Sequence, residues 1–270
     1  MNKRVLIKIN YISITILILS FVIFGCESND NPLNHGSSNL KASNKVLVEL
    51  FTNTSCVNCP QPGGFLDLVD SLKGVTINDT NVVIIRVHTD LYPNDPFFNF
   101  NTVDNLARES YYTAGLYNPI GFMNGSNLLA YNFNAWTDSL NLALSKKGTF
   151  AIADSNAYDT TSRNGTLTLT IGQLSGGIVG DLKMHIIITE GHLYYTAPNG
   201  ERWFENTLRK LVTPAEGVSV SLSSGQSLNF IENYNLPVGI NAKYSQIIVF
   251  LQSTSTAKVY AVDEKSLTGN

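Results

Sequence analysis

Hydrophobic and polar positions divide the chain into three stretches. Residues 9–24 are mostly Ile, Leu, Val and Phe behind Lys3, Arg4 and Lys8; residues 27–44 hold almost nothing to bury; from Lys45 onward short apolar runs recur as in a folded body. Residues 45–52 (KVLVELFT) predict a strand apolar on both faces, as at the centre of a parallel sheet. A helix is expected from Cys56 to Leu72, with Phe65, Leu66, Val69 and Leu72 at helical spacing. Residues 81–88 read as a second buried strand, 102–112 as a helix, 119–124 as a strand entering the Asn124-Gly125 turn, and 134–146 as a last helix. From Gly148 the texture changes to Thr, Ser and Gly among short β-branched runs, which predict strands over 149–156, 166–172, 182–189, 218–222, 227–230, 246–253 and 258–262. Turn signals fall at Asn164-Gly165, Gly176-Gly177 and Asn199-Gly200. The expected fold class is therefore an α/β domain over 45–147 followed by an all-β sandwich of immunoglobulin-like type over 148–265.

The apolar leader is short for a membrane span and suits a secretory signal. Its end, Val22-Ile23-Phe24-Gly25-Cys26, resembles a bacterial lipobox, which implies a signal peptide over 1–25 and lipid on Cys26. An uncleaved N-terminal anchor helix is the alternative, and it leaves the folded part exported all the same. Residues 26–44 then form a flexible polar tether. The expected partner is a membrane, reached through the N-terminal lipid. Charge adds an exclusion: 18 basic against 21 acidic residues, with no Lys/Arg cluster after the leader, gives no surface for nucleic acid.

Two of the three cysteines, Cys56 and Cys59, remain for the mature fold, too few to hold it together by disulfides. As a CxxC at the start of a helix they suit redox chemistry, because unpaired N–H groups and the helix dipole favour a thiolate there. Cys56 is then the nucleophile and Cys59 the resolver of a mixed disulfide. A stapling disulfide is the first alternative, though so small a ring removes little entropy from the unfolded chain. Zinc is the second; it needs two more ligands, and no second CxxC exists. No metal or cofactor is expected.

The order strand, CxxC, helix, strand, helix, X-Pro, strand, turn, helix is that of thioredoxin. In that family an acid on the strand before the motif moves a proton to and from the resolving cysteine, and Glu49 stands in its place; the alternative is a carboxylate at a strand edge facing water. The family's cis-proline is matched by Asn118-Pro119-Ile120. His88 ends the second strand, where it either tunes Cys56 or is a plain loop histidine; Trp203 and Phe204 either expose a binding edge or close the end of the sandwich.

Residues 46–52 running into Cys56-Val57-Asn58-Cys59-Pro60, with Asn206-Thr207-Leu208-Arg209-Lys210, residues 247–252 and residues 258–262, resemble the Omp28-related outer membrane lipoproteins of Bacteroidetes, from Lys45 to about Lys265. The resemblance implies a thioredoxin-like domain and a β-sandwich on an outer-membrane lipid anchor, and supplies no function. The Val57-Asn58 dipeptide departs from the Gly-Pro of thioredoxin, so reducing strength does not carry over. Three classes stand: a thiol-disulfide oxidoreductase acting on exported protein clients, a non-catalytic surface lipoprotein whose sandwich binds an envelope partner or glycan, and a redox-sensing structural protein.

Overall fold

The computed structural model describes residues 40–72, 81–112 and 114–269. The expected signal peptide, Cys26 and the tether up to residue 39 lie outside them. Among the described residues the protein is mostly β, with a few short helices and several sheets.

Strand β1 (Val46–Thr52) is buried at every position, with a packed cluster on each face and a paired strand on each edge. On one side β2 (Val82–His88) runs parallel, from Val46 opposite Val82 to Thr52 opposite His88. On the other β3 (Ile120–Met123) runs antiparallel and turns into β4 (Ser126–Asn127) through Asn124 and Gly125, whose φ values of 47° and 84° suit a type I′ hairpin. Helix α1 (Pro60–Ser71) starts four residues later than the spacing predicts. Pro60 has no N–H to donate and fits the first helical position, so Cys59 becomes the cap and Cys56–Cys59 a separate turn, closed by the Cys59 N–H donating to the Cys56 carbonyl at 3.2 Å. The first-turn position expected of Cys56 thus falls to Cys59.

A short helix α2 (Pro96–Phe100), unforeseen, is capped by Asp95, whose carboxylate accepts from the N–H groups of Phe97 and Phe98. Helices α3 (Thr102–Tyr112) and α4 (Phe133–Leu144) stand where the periodicity places them, α4 capped by Asn132 accepting from the Ala135 N–H at 3.0 Å. Phe65, Leu66 and Val69 of α1 and Trp136 and Leu140 of α4 pack on Val46, Val48, Leu50, Val82 and Ile84, the face formed by even-numbered positions of β1 and β2. Truncating Trp136, 1% exposed, to Ala would cost about 3–5 kcal/mol.

In the second half β5 (Phe150–Asp159), β6 (Asn164–Gln173) and β12 (Ser227–Asn235) form a three-stranded antiparallel sheet. Strands β7 (Leu182–Glu190), β13 (Ser245–Ser253) and β14 (Val259–Ser266) form an antiparallel set, and β8 (Leu193–Tyr194) with β9 (Trp203–Phe204) a small hairpin. Strand β10 (Thr207–Leu211), absent from the sequence expectation, pairs antiparallel with β7 and parallel with β2, Thr207 lying opposite Arg86. It joins the two halves into one mixed sheet, β14-β13-β7-β10-β2-β1-β3-β4, with β11 (Val218–Ser219) beside β7.

The core follows that sheet across residue 148. Leu47, Phe51, Val83 and Ile85 share one cluster with Ile187, Ile248, Phe250 and Val262, so the stretches 45–147 and 148–265 have a sheet and a core in common. Leu167, Leu169 and Ile171 of the small sheet meet Ile186, Ile188, Val249 and Leu251 of the large one, two sheets face to face. Asn164-Gly165 is a correction: both residues lie in β6, and the turn comes just before, with Arg163 at φ 58°. Gly165 is needed for room, since a Cβ there would stand 2.0 Å from Cζ of Tyr234.

Candidate redox site

The site is built where β1 ends. The Asn53 side chain donates to the carbonyls of Thr89 at 2.8 Å and Tyr92 at 3.0 Å while its Oδ1 accepts from the Ser55 N–H, which pins the loop beyond β1 to the loop beyond β2. The Thr54 N–H donates to Asp95 Oδ2 at 2.7 Å and the Cys56 N–H to the Asn53 carbonyl at 3.1 Å. On this base Cys56 and Cys59 form a disulfide. The Asn118–Pro119 peptide is cis and leads directly into β3, and the Asn118 amide donates to the Thr89 hydroxyl. Cys56, Cys59 and Pro119 thus belong to segments gathered at one end of the sheet.

Both cysteines are closed off, Cys56 at 1% and Cys59 at 0% exposure, while Val57 between them is 83% exposed. The second half of the chain docks on this turn. Beyond β8, the Asn199 N–H donates to the Thr54 carbonyl at 3.1 Å, and the Asn199 amide reaches the carbonyls of Cys56 at 3.3 Å and Asn53 at 3.4 Å and Glu201 Oε2 at 2.6 Å. Phe204 and Ala197 pack on Phe97, sealing the edge. Trp203 and Phe204 therefore divide the two roles expected of them: Phe204 is buried, its ring 4.7 Å from that of Phe97, and Trp203 is 60% exposed beside an equally exposed Tyr194. The Asn199-Gly200 turn signal was visible in the sequence; its docking some 140 residues back along the chain was not.

Glu49 is buried, but odd-numbered positions of β1 face α3, away from α1. Arg108 of α3 clamps both its oxygens, Nε to Oε1 at 2.6 Å and Nη2 to Oε2 at 2.7 Å, and the Tyr112 hydroxyl donates to Oε2 at 2.7 Å. Gln252 of β13 completes the set, accepting from Arg108 and donating to Tyr112. Burial alone would lower the pKa of Arg108, but the Glu49 carboxylate outweighs it and holds the guanidinium charged; burial and the same carboxylate raise Tyr112 well above its ordinary value. The geometry brings Glu49 to Arg108, and among the described residues its hydrogen bonds end there and at Tyr112.

His88 lies on the α1 face. It follows Val82, Ile84 and Arg86 in the alternation of β2, and Arg86 reaches the Gly63 carbonyl at 3.2 Å and the Asp67 carboxylate, both on α1. His88 is fully buried, its Nδ1 2.8 Å from Asp95 Oδ2, under the rings of Phe97 and Phe204. Burial pushes the Asp95 pKa up, but the bond and charge of His88 and the N–H groups of Thr54 and Phe98 prevail and hold it below the ordinary value. His185, by contrast, is a packing residue: burial drives its pKa down to about 3. A cavity of about 670 Å³ lies elsewhere, between α4 and the start of β14, and none of the residues at the disulfide lines it.

No family model matches this chain, and no curated protein matches its sequence. Among solved structures it is similar to HBP35 of Porphyromonas gingivalis, with 16% identity and a TM-score of 0.68 over 84% of this chain and 76% of that one. At that identity the likeness is one of fold. A domain of the outer membrane lipoprotein Omp28 from Porphyromonas gingivalis aligns with 46% of this chain and 91% of its own at 15% identity, and its TM-score of 0.33 carries no argument.

Proposed function

We propose that this chain is an envelope lipoprotein related to Omp28, held to the outer membrane by lipid on Cys26, in which a thioredoxin-like unit exchanges disulfides with exported proteins. The observation that carries the reading is a Cys56–Cys59 disulfide lying where β1 ends and α1 begins. Its ring is too small for stapling to explain it. At the cap of α1 a Cys59 thiolate would face the positive end of the helix, where Gln61 supplies the one N–H of the first three positions because Pro60 and Pro62 have none, and this favours Cys59 as a leaving group.

From the disulfide form, a client thiolate attacks the Cys56 sulfur, the Cys56–Cys59 bond breaks, and Cys59 leaves as a thiolate and takes up a proton. The client's second thiolate attacks its own sulfur in the mixed disulfide and displaces Cys56. The client loses two electrons and becomes a disulfide; the protein gains them as two thiols. A client disulfide runs the same steps in reverse. Both cysteines are buried and the Asn199 segment is bonded to the Cys56 carbonyl, so exchange in this reading requires that segment to lift.

In Cys59→Ala, Cys56 has no resolver, so envelope extracts run on non-reducing gels should show client adducts that vanish in Cys56→Ala. A folded, exported Cys59→Ala protein without adducts overturns the reading. It would favour a non-catalytic lipoprotein that binds an envelope partner or glycan, for which the burial of both cysteines and the exposed Tyr194–Trp203 pair speak.

A further inference from the structure

When Cys59 resolves a mixed disulfide its thiol must first lose a proton, and a base held beside the disulfide turn speeds that loss. The acid expected for the task, Glu49, faces the other side of the sheet with its oxygens taken. Buried polar atoms of the segments gathered here that have no hydrogen-bond partner among the described residues include Thr54 Oγ1, Arg86 Nε, Asn118 Oδ1 and His88 Nε2. A hydroxyl, a guanidinium and an amide oxygen do not take up protons near neutral pH. An imidazole nitrogen does.

We propose that His88 is the base that holds the Cys59 proton, with Asp95 fixing its tautomer and Glu201 supplying the facing negative charge; this rests on the exchange reading above. Ionised Asp95 only accepts, so Nδ1 carries the ring proton toward it and Nε2 presents a lone pair. The same Asp95 oxygen accepts from the Thr54 N–H, two residues before Cys56, so the imidazole and the disulfide turn hang from one anchor. On the α1 face His88 lies one alternation beyond Arg86, which already touches the first turn of α1, where Cys59 is the cap.

Charged groups stand around the ring. Arg86 is paired with Asp67; Asp95 contacts the ring, and Glu201, which attracts both Arg86 and His88, rests against α1 so closely that a Cβ on Gly63 would come within 3.0 Å of its Oε1. Burial raises the pKa of Glu201, and its bond from Asn199 ties this acid to the segment that covers Cys56. In the step, the Cys59 proton passes to His88 Nε2, the Cys59 sulfur attacks Cys56, and the bond from Cys56 to the partner sulfur breaks. The departing thiolate then takes the proton from His88. Two protein thiols are oxidised to a disulfide, and the partner disulfide is reduced to two thiols.

The test uses the reduced full chain and dithiodipyridine, which releases one coloured thione when Cys56 attacks and a second when Cys59 resolves. His88→Asn should slow the second release about a hundredfold, leave the first within about twofold, and remove the pH dependence of the second between about pH 5 and 8. Glu201→Gln should slow the second release and leave the first unchanged. In the wild-type chain the ¹⁵N shifts of the His88 ring nitrogens should differ between the oxidised and reduced forms at one pH, a readout that survives if His88→Asn fails to fold. An unchanged second release in folded His88→Asn, or the same ring shifts in both redox forms, overturns the role of His88 alone. No second release from the wild-type chain overturns the exchange reading, and this role with it.

Discussion

Two of the buried ionic clusters among the described residues lie on opposite faces of one sheet, and they differ in which groups they leave bare. At Glu49, Arg108, Tyr112 and Gln252 the carboxylate meets a two-pronged guanidinium and a hydroxyl, and β13 closes the set from the far half of the chain. At His88, Asp95, Arg86 and Glu201 the carboxylates are occupied, yet the His88 Nε2 acceptor is left bare beside a bare Arg86 Nε donor, and the cover is a hairpin rather than a sheet strand. At the first cluster the bare atom is Arg108 Nη1, a donor that keeps its proton, and the network clamps because any change in protonation breaks several strong bonds at once. One with an open acceptor beneath a displaceable cover can gain and lose a proton, which chemistry needs.

The largest effect should come from breaking the clamp. Arg108→Met leaves the Glu49 carboxylate buried without a counter-charge, and the expected loss is about 3–5 kcal/mol in urea unfolding. Adding Glu49→Met to it should recover most of that, since two apolar side chains of similar volume carry no stranded charge. A loss under about 1 kcal/mol for Arg108→Met would mean that Glu49 reaches water, and the contrast between the clusters would fail.

Next comes Asp95, which joins the second cluster to the backbone of two loops. Removing it strands His88 and the N–H groups of Thr54, Phe97 and Phe98, so Asp95→Ala should cost about 2–3 kcal/mol. Its pH signature has a definite sign. The folded-state pKa lies below the ordinary 3.8, so the folded form binds the proton more weakly than the unfolded one. The stability it contributes is fully present above that ordinary value and is lost as pH falls through the folded one. Asp95→Asn should lack this acid-side loss; the same slope in both proteins below pH 3.8 would show that Asp95 is not its source.

What the sequence could show of these clusters depended on whether the signal was local. β1 and β2 were legible because burial on both faces leaves a run of apolar residues that one charged position, Glu49 or Arg86, does not hide, and the long strands β7 and β13 carry the apolar runs 186–188 and 247–251 for the same reason. Strand β10 was not: Arg209 and Lys210 interrupt it, and a register shift between Leu208 and Lys210 upsets the alternation that would mark it. Two Asn-Gly pairs carried identical local signals, yet 124–125 makes a hairpin turn and 164–165 lies in a strand, where Tyr234 from β12 takes the space above Gly165. The pairing of Cys56 with Cys59 and the cis bond before Pro119 could be read from order along the chain. The aim of Glu49 could not, because it depends on which face α3 covers. Asp95 carried a weak sign of its own, an Asp followed by Pro96 as at a helix start, and Asn199 and Glu201 carried none of their destination.

The smallest effect on stability should accompany a large one on reactivity. Asn199 is half-buried, and its amide bonds to Cys56 and Asn53 are long, at 3.3 and 3.4 Å, so Asn199→Ala should cost about 1 kcal/mol or less. Those bonds nevertheless hold the cover on the disulfide, and Phe204 and Ala197 keep the hairpin folded through their packing on Phe97 when they are gone. The expected result is faster reduction of the disulfide by dithiothreitol, about tenfold at pH 7, with a melting temperature within a few degrees of wild type. Arg108→Met, whose cluster lies on the other face, should not accelerate reduction under conditions where it stays folded. If both variants accelerate reduction alike, opening of the site follows global stability and the hairpin is no separate cover. If only Asn199→Ala does, the two clusters are independent, one holding the sheet together and the other governing entry to the sulfurs.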